Sequence, residues 1–292
     1  MSRLTVFLAT VVTMIAFAGN ALIGRAALRD TAIDAMSYTS IRLAAGAVVL
    51  VVIARLVRRG RERGSARLGG TWTSALALFA YAILFSFAYR GMAAGSGALV
   101  LFAAVQATMI GWGLVQGERF RPIQIAGLAI AGAGLVWLVA PGLDAPPLGA
   151  ASAMAASGVA WGVYSLRGRG AGDPLAASAG NFARALPFAG LGSLVAATSA
   201  TLDPAGVALA IASGAITSGI GYAIWYTVVP RLAATTAATV QLTVPAIASG
   251  MAVVFLGEAL TLRLVLASIA ILGGIAVVIV WRRKPPAIAT PR

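Results

Sequence analysis

Two arginines stand inside long apolar runs: Arg42 within Met36–Ala54 and Arg184 within Ala177–Ala200. An arginine at the centre of a membrane helix costs about 2.5–3.5 kcal/mol on the insertion scale. Each therefore needs a counter-charge to bind, a gate contact to make, or a route by which its head reaches the nearer face. The eight acids (Asp30, Asp34, Glu62, Glu118, Asp144, Asp173, Asp203 and Glu258) lie between the apolar runs or at their ends. With no carboxylate inside a run, an obvious intramembrane proton relay is not expected. Glu118 and Glu258 each close a run, where a carboxylate can accept hydrogen bonds from free N–H groups at the start of the following helix.

Aromatic and amide side chains supply a second set of candidates. Tyr81, Phe85 and Tyr89 recur every four residues and form one stripe of the third run; the eighth carries Tyr222, Trp225 and Tyr226. Trp161 and Tyr164 lie on the sixth, Asn20 on the first, and the amides Gln106 and Gln241 on the fourth and ninth. A cavity lined this way would hold a flat or apolar solute while amides and hydroxyls fix its polar end. Membrane-interface anchoring is the competing role for aromatic side chains, and it is the expectation for Tyr89 and Trp281, near the ends of their runs.

The chain has neither Cys nor His. Disulfides, thiol nucleophiles and the usual metal ligands are absent, and no cofactor or metal site is expected. Without an Asp–Asp pair inside the runs, few groups remain for acid–base chemistry, so an enzyme is not expected.

The elements that must position these residues are membrane helices. Of 292 residues, 60% are hydrophobic and 10% charged, with a mean hydropathy of +0.93. A soluble domain carries roughly 25% charged residues. About 20 apolar residues cross a bilayer core, and ten runs qualify: Leu4–Gly24, Met36–Ala54, Trp72–Tyr89, Gly95–Gln116, Pro122–Ala140, Leu148–Leu166, Ala177–Ala200, Gly206–Val228, Ala233–Leu256 and Leu262–Trp281. The first is expected to be retained as a helix rather than cleaved as a signal peptide, since nine more follow it.

The net charge of +14 is placed as a membrane protein places it, not as a nucleic-acid binder does. With the N-terminus in the cytoplasm, that side holds Arg3, the cluster Arg55 to Arg67, Arg119, Arg121, Arg167, Arg169, Arg231 and the basic tail, sixteen bases in all. The other side holds four: Arg25, Arg29, Arg90 and Arg263. This bias puts both termini in the cytoplasm.

A shift of 140 residues lays Gly117-Glu118 on Gly257-Glu258 and Gly134 on Gly274; a shift two or three residues larger lays Arg42 on Arg184 and Gly19 on Gly162. Residues 1–143 and 144–284 thus read as two five-helix repeats, with 285–292 a cytoplasmic tail. An odd number of helices per repeat inverts the second copy. Arg42 and Arg184 would then approach opposite faces, which suits a structural or gating pair. The first repeat has Val105 where the second has Pro245, so the two halves are not expected to bend alike.

With Trp161-Gly162 and its weaker counterpart Ala18-Gly19-Asn20, Arg42 and Arg184, and the stretch Pro245, Gly257 and Glu258 echoed by Gly117-Glu118, the sequence resembles the drug/metabolite transporter (DMT) superfamily. Within it the chain is similar to the EamA-type ten-helix exporters, the aromatic amino-acid exporter branch included. The resemblance spans nearly the whole chain. It implies an inner-membrane secondary transporter that exports small amphipathic metabolites by alternating access around a central cavity, with amino acids the leading substrates. Drugs, nucleosides, purines or sugar derivatives on the same fold are the alternative, and a non-transporting membrane scaffold a remote one. The partners are a small solute and the lipid bilayer; one chain already holds both repeats, so a monomer suffices.

Overall fold

The computed structural model describes residues 1–58, 68–142, 144–169, 172–232 and 234–281. These residues are helical and contain no strand. The first half comprises α1 (Arg3–Asp30), α2 (Ala35–Arg58), α3 (Trp72–Tyr89), α4 (Ala94–Val115) and α5 (Pro122–Val139). The second begins with α6 (Leu148–Gly168) and α7 (Pro174–Val195). Next come α8 (Pro204–Ala212), a π-helical segment (Ser213–Ile220) and α9 (Gly221–Val228) in one continuous span. After them α10 (Ala234–Gln241) and α11 (Thr243–Leu256) share a broken span, and α12 (Leu262–Val280) closes the described chain.

Local chemistry sets the helix limits. Asp173 and Asp203 accept hydrogen bonds from Ala176 N and Gly206 N, and Pro174 and Pro204 follow as first residues with no N–H to satisfy. The seventh run consequently starts and stops earlier than expected, at Pro174 and Val195 rather than Ala177 and Ala200. The first helix continues past Gly24 to Asp30, since no residue between them breaks the backbone ladder. Gly117 and Gly257, equivalent under the 140-residue shift, both terminate helices with positive φ, 86° and 62°, a conformation glycine adopts without strain.

Among the described residues eight helical spans are long and apolar enough to cross a membrane. Helices α6 and α7, of 21 and 22 residues, have the length but not the apolarity, being diluted by Gly, Ser, Asn181 and Arg184. Large apolar side chains such as Phe7, Val136, Val195, Val254 and Ile269 are exposed on the outside of the bundle. That surface suits hydrocarbon, where a single chain has no need to hide it.

Helix pairing follows small residues. A Cβ at Gly127 would stand 2.7 Å from the Gly274 carbonyl oxygen, and one at Gly134 would stand 2.7 Å from Ala270 Cβ. Gln124 Nε2 donates to the Val278 carbonyl (3.0 Å) and Arg263 to those of Trp137 and Ala140. Helices α5 and α12 therefore lie against each other and run antiparallel. In the same sense α2 lies against α7: Gly46 meets Phe182, and Met36 meets Gly192.

A candidate central site

Three helices of the first half and three spans of the second converge on one cavity. Its wall is built by Phe17, Asn20 and Ala21 from α1, Tyr81 and Phe85 from α3, and Ala98, Leu101 and Phe102 from α4. Trp161 from α6, Thr217 and Ser218 from the π segment, Tyr222 from α9, Gln241 from α10 and Val244 from α11 complete it. About 40 Å³ is open to the centre of a water molecule, room for a few waters. The aromatic rings account for the contraction. Trp161 stands with its centroid 4.7 Å from that of Tyr81, 5.2 Å from Tyr164 and 5.6 Å from Tyr222, and Phe17 meets Tyr222 edge-on at 5.7 Å.

Behind the rings lies a polar network. Asn20 Nδ2 donates to Tyr81 Oη (3.2 Å), and Asn20 Oδ1 accepts from Ser213 Oγ (2.9 Å) with Thr217 Oγ1 also near, at 3.2 Å. Arg42 Nη2 donates to the same Tyr81 Oη at 3.0 Å. The guanidinium lies 4.7 Å from the Phe85 ring centroid and 5.3 Å from that of Tyr81, within cation–π range. Only 2% of Arg42 is exposed.

Six of the expected lining residues come together here: Asn20, Tyr81, Phe85, Trp161, Tyr222 and Gln241. Four do not line the cavity. Tyr164 and Tyr226 meet at Ser178, whose Oγ is 3.2 Å from the Tyr164 hydroxyl and donates to Tyr226 Oη at 2.8 Å. Trp225 packs edge-on against Phe17, and Gln106 is buried on α4 away from the wall. On α9 the 3.6-residue turn aims only one of three clustered aromatics inward, which spacing alone does not reveal. Phe17, Thr217 and Ser218 were not among the candidates. The sequence Ser213-Gly-Ala-Ile-Thr-Ser-Gly-Ile220 hints at close packing but not at its π geometry; the segment lies against α2, where a Cβ at Gly214 would meet the Arg42 carbonyl oxygen.

The paired arginines part company. Arg184 Nη1 donates to the carbonyls of Gly69 (2.6 Å) and Gly180 (3.0 Å), so backbone at one end of the bundle satisfies it. Arg42 remains in the interior. Tyr89 is fully buried, edge-on to Phe85 at 4.6 Å, and donates to the Ala94 carbonyl. The interface-anchor expectation for Tyr89 is therefore corrected: α4 covers the end of α3. Trp281 is half-exposed at its helix end.

Glu258 also departs from expectation. It does not cap the helix after it, which Thr261 caps through Leu264 N. Its Oε2 instead accepts from Ala94 N, the first residue of α4, at 2.8 Å. Oε1 pairs with Arg25 Nε at 3.1 Å, and Arg29 lies 3.7 Å away. Arg25 also donates to the Tyr89 carbonyl at 2.8 Å. One ion pair thus ties α1, the α3–α4 link and the end of α11. At shifts of 142 and 140 residues Arg25 falls on Arg167 and Glu118 on Glu258. Arg167 donates to Ser74 Oγ, and the Glu118 carboxylate lies over Gly113, so the two ends are arranged differently. At the Arg25 end, Asp34 accepts from Met36 N, Ser37 N and Thr201 N. Burial pushes its carboxyl up, but these hydrogen bonds outweigh it and hold the group below the usual range.

Pro245, a gating candidate, stands two residues into α11, and the ninth span breaks at Leu242. Proline has no N–H for the Gln241 carbonyl, and its ring crowds that oxygen. The fourth helix, with Val105 at the matching place, runs unbroken from Ala94 to Val115.

Comparison with known proteins agrees with this architecture. The model of the EamA-like transporter family matches residues 148–280. An uncharacterized protein of Pseudomonas aeruginosa is 51% identical over 275 residues, covering 94% of each chain. The chain belongs to the EamA-like transporter family. It is a multi-pass membrane transporter of the DMT type. A crystal structure described only as that of a protein superposes with a TM-score of 0.64, covering 97% of this chain and 100% of its own at 21% identity, a likeness of fold alone.

Proposed function

We propose that this EamA-family protein exports small amphipathic metabolites across the cytoplasmic membrane, with amino acids the leading class and aromatic ones first among them. The observation that carries the proposal is the central cavity, where aromatic faces surround amide and hydroxyl groups contributed by both halves of the chain. Residues 1–143 and 144–284 act as two inverted five-helix repeats, making ten membrane helices. The antiparallel meeting of α2 with α7 and of α5 with α12 favours this, because an in-plane two-fold axis reverses equivalent helices. The distribution of arginines favours cytoplasmic termini and places the Arg25–Glu258 pair at the outer end. Alternating access then exchanges two closures. In this conformer Arg25 and Glu258 close the outer end; in the other, Arg167 and Glu118 take the equivalent role at the cytoplasmic end while the rings around Trp161 separate. A monomer contains the whole machinery.

Counterflow uptake of radiolabelled Phe, Trp and Leu into proteoliposomes tests the proposal. Saturable uptake that Trp161→Ala abolishes in a monodisperse sample is the expected result. No uptake of any of the three would shift the assignment to drugs, nucleosides, purines or sugar derivatives.

A further inference from the structure

The network beside the cavity has a surplus of hydrogen-bond donors. Arg42 Nη1 is buried with no hydrogen-bond partner, and so is the hydroxyl of Tyr38, one helical turn earlier on the same face of α2. Tyr81 Oη receives two hydrogen bonds, from Asn20 and Arg42, and its own proton has no acceptor among the described residues. Asn20 Oδ1 is already engaged by Ser213 and Thr217. Among the described residues no carboxylate pairs with Arg42; the ion pairs lie at the bundle end, at Arg25, Arg29, Asp30 and Glu258. A guanidinium 2% exposed, inside a membrane and without a counter-ion, is costly unless something anionic arrives. Arg184, its partner under the repeat, is satisfied by carbonyls, so the orphaned donor is peculiar to the half that supplies Tyr81 and Phe85.

The geometry points to Arg42 as the carboxylate-binding residue of the central site, assisted by the Tyr81 hydroxyl, and to a substrate class defined by a carboxylate on an apolar or aromatic body. The inference rests on the transport reading above and narrows it: acids belong to the class, while their amides and amines do not. A carboxylate entering beside Tyr81 and Phe85 would accept from Arg42 Nη1 and from Tyr81, supplying the acceptors the cluster lacks. Its apolar body would lie among Phe17, Trp161 and Tyr222.

The test compares a matched pair, 3-phenylpropionate and 3-phenylpropanamide, by calorimetric titration of the purified full chain. The pair differs in charge but hardly in shape. The acid is expected to bind at least about ten-fold more tightly than the amide, the scale of a charged hydrogen bond. In Arg42→Gln that ratio falls towards one, while Arg42→Lys, which keeps the charge, retains part of it. Should Arg42→Gln not fold, Arg42→Lys and Tyr81→Phe, each with a reduced ratio, carry the test. A ratio near one in the unaltered protein, or an undiminished ratio in the variants, overturns the assignment. Failure of the two ideas separates cleanly. Tight acid binding with no flux of any solute keeps the anion site and removes the exporter; flux of uncharged solutes without acid–amide discrimination does the reverse.

Discussion

Asn20 shows how much one side chain can organise. Its amide donates to Tyr81 and accepts from Ser213, joining α1 to α3 and to the π segment while also lining the cavity. Asn20→Leu would leave the Ser213 and Tyr81 hydroxyls buried with fewer partners, and we expect a loss of roughly 1–3 kcal/mol. Thermal unfolding in detergent measures it; an unchanged midpoint would show that the network contributes nothing to stability. At this scale the sequence marks polar residues in apolar runs, and Asn20, Trp161, Tyr222 and Gln241 stand out for that reason. It does not reveal which of two equivalent arginines stays unpaired. That depends on Gly69, more than a hundred residues before Arg184, bringing its carbonyl to 2.6 Å.

Helix ends carry the proposed closure. Glu258 holds Arg25 with its side chain about 10% exposed, and it also holds the first N–H of α4. Removing one charge from a largely buried pair leaves the other uncompensated. Glu258→Gln should therefore loosen the Arg25 end. The chain has no cysteine, so a single Cys replacing Ser96 on α4 reports cleanly. Labelling by a membrane-impermeant maleimide should accelerate on the order of ten-fold, the factor that about 1.4 kcal/mol of lost pairing produces. An unaltered rate would mean that the pair is not a closure. The Gly-Glu repeat was visible in the sequence; the positive φ that Gly117 and Gly257 share came only with the structure. The identity of Glu258's partner was not, because Ala94 belongs to a helix 164 residues away.

Across the whole molecule, packing between the halves rests on glycine contacts. Gly273 and Gly274 are neighbours in the chain, yet a Cβ at Gly274 would crowd Ala131 and the Gly127 carbonyl, whereas one at Gly273 would meet nothing. Gly274→Leu should destabilise the protein by about 1–3 kcal/mol through overpacking. Gly273→Leu, on the exposed side, should change stability by less than about 0.5 kcal/mol. Equal effects in thermal unfolding would contradict the α5–α12 contact. Hydropathy, charge bias and the 140-residue self-similarity by themselves determined that the chain is helical and membrane-bound, because burying a backbone in hydrocarbon admits few solutions. Residue type marked six of the fourteen residues that line the cavity. Tertiary structure alone decided which faces turn inward, where the eighth span widens into a π segment, and that Arg42 is left without a counter-ion. Those outcomes depend on contacts between distant helices, and an apolar run carries the same composition whichever neighbour it meets.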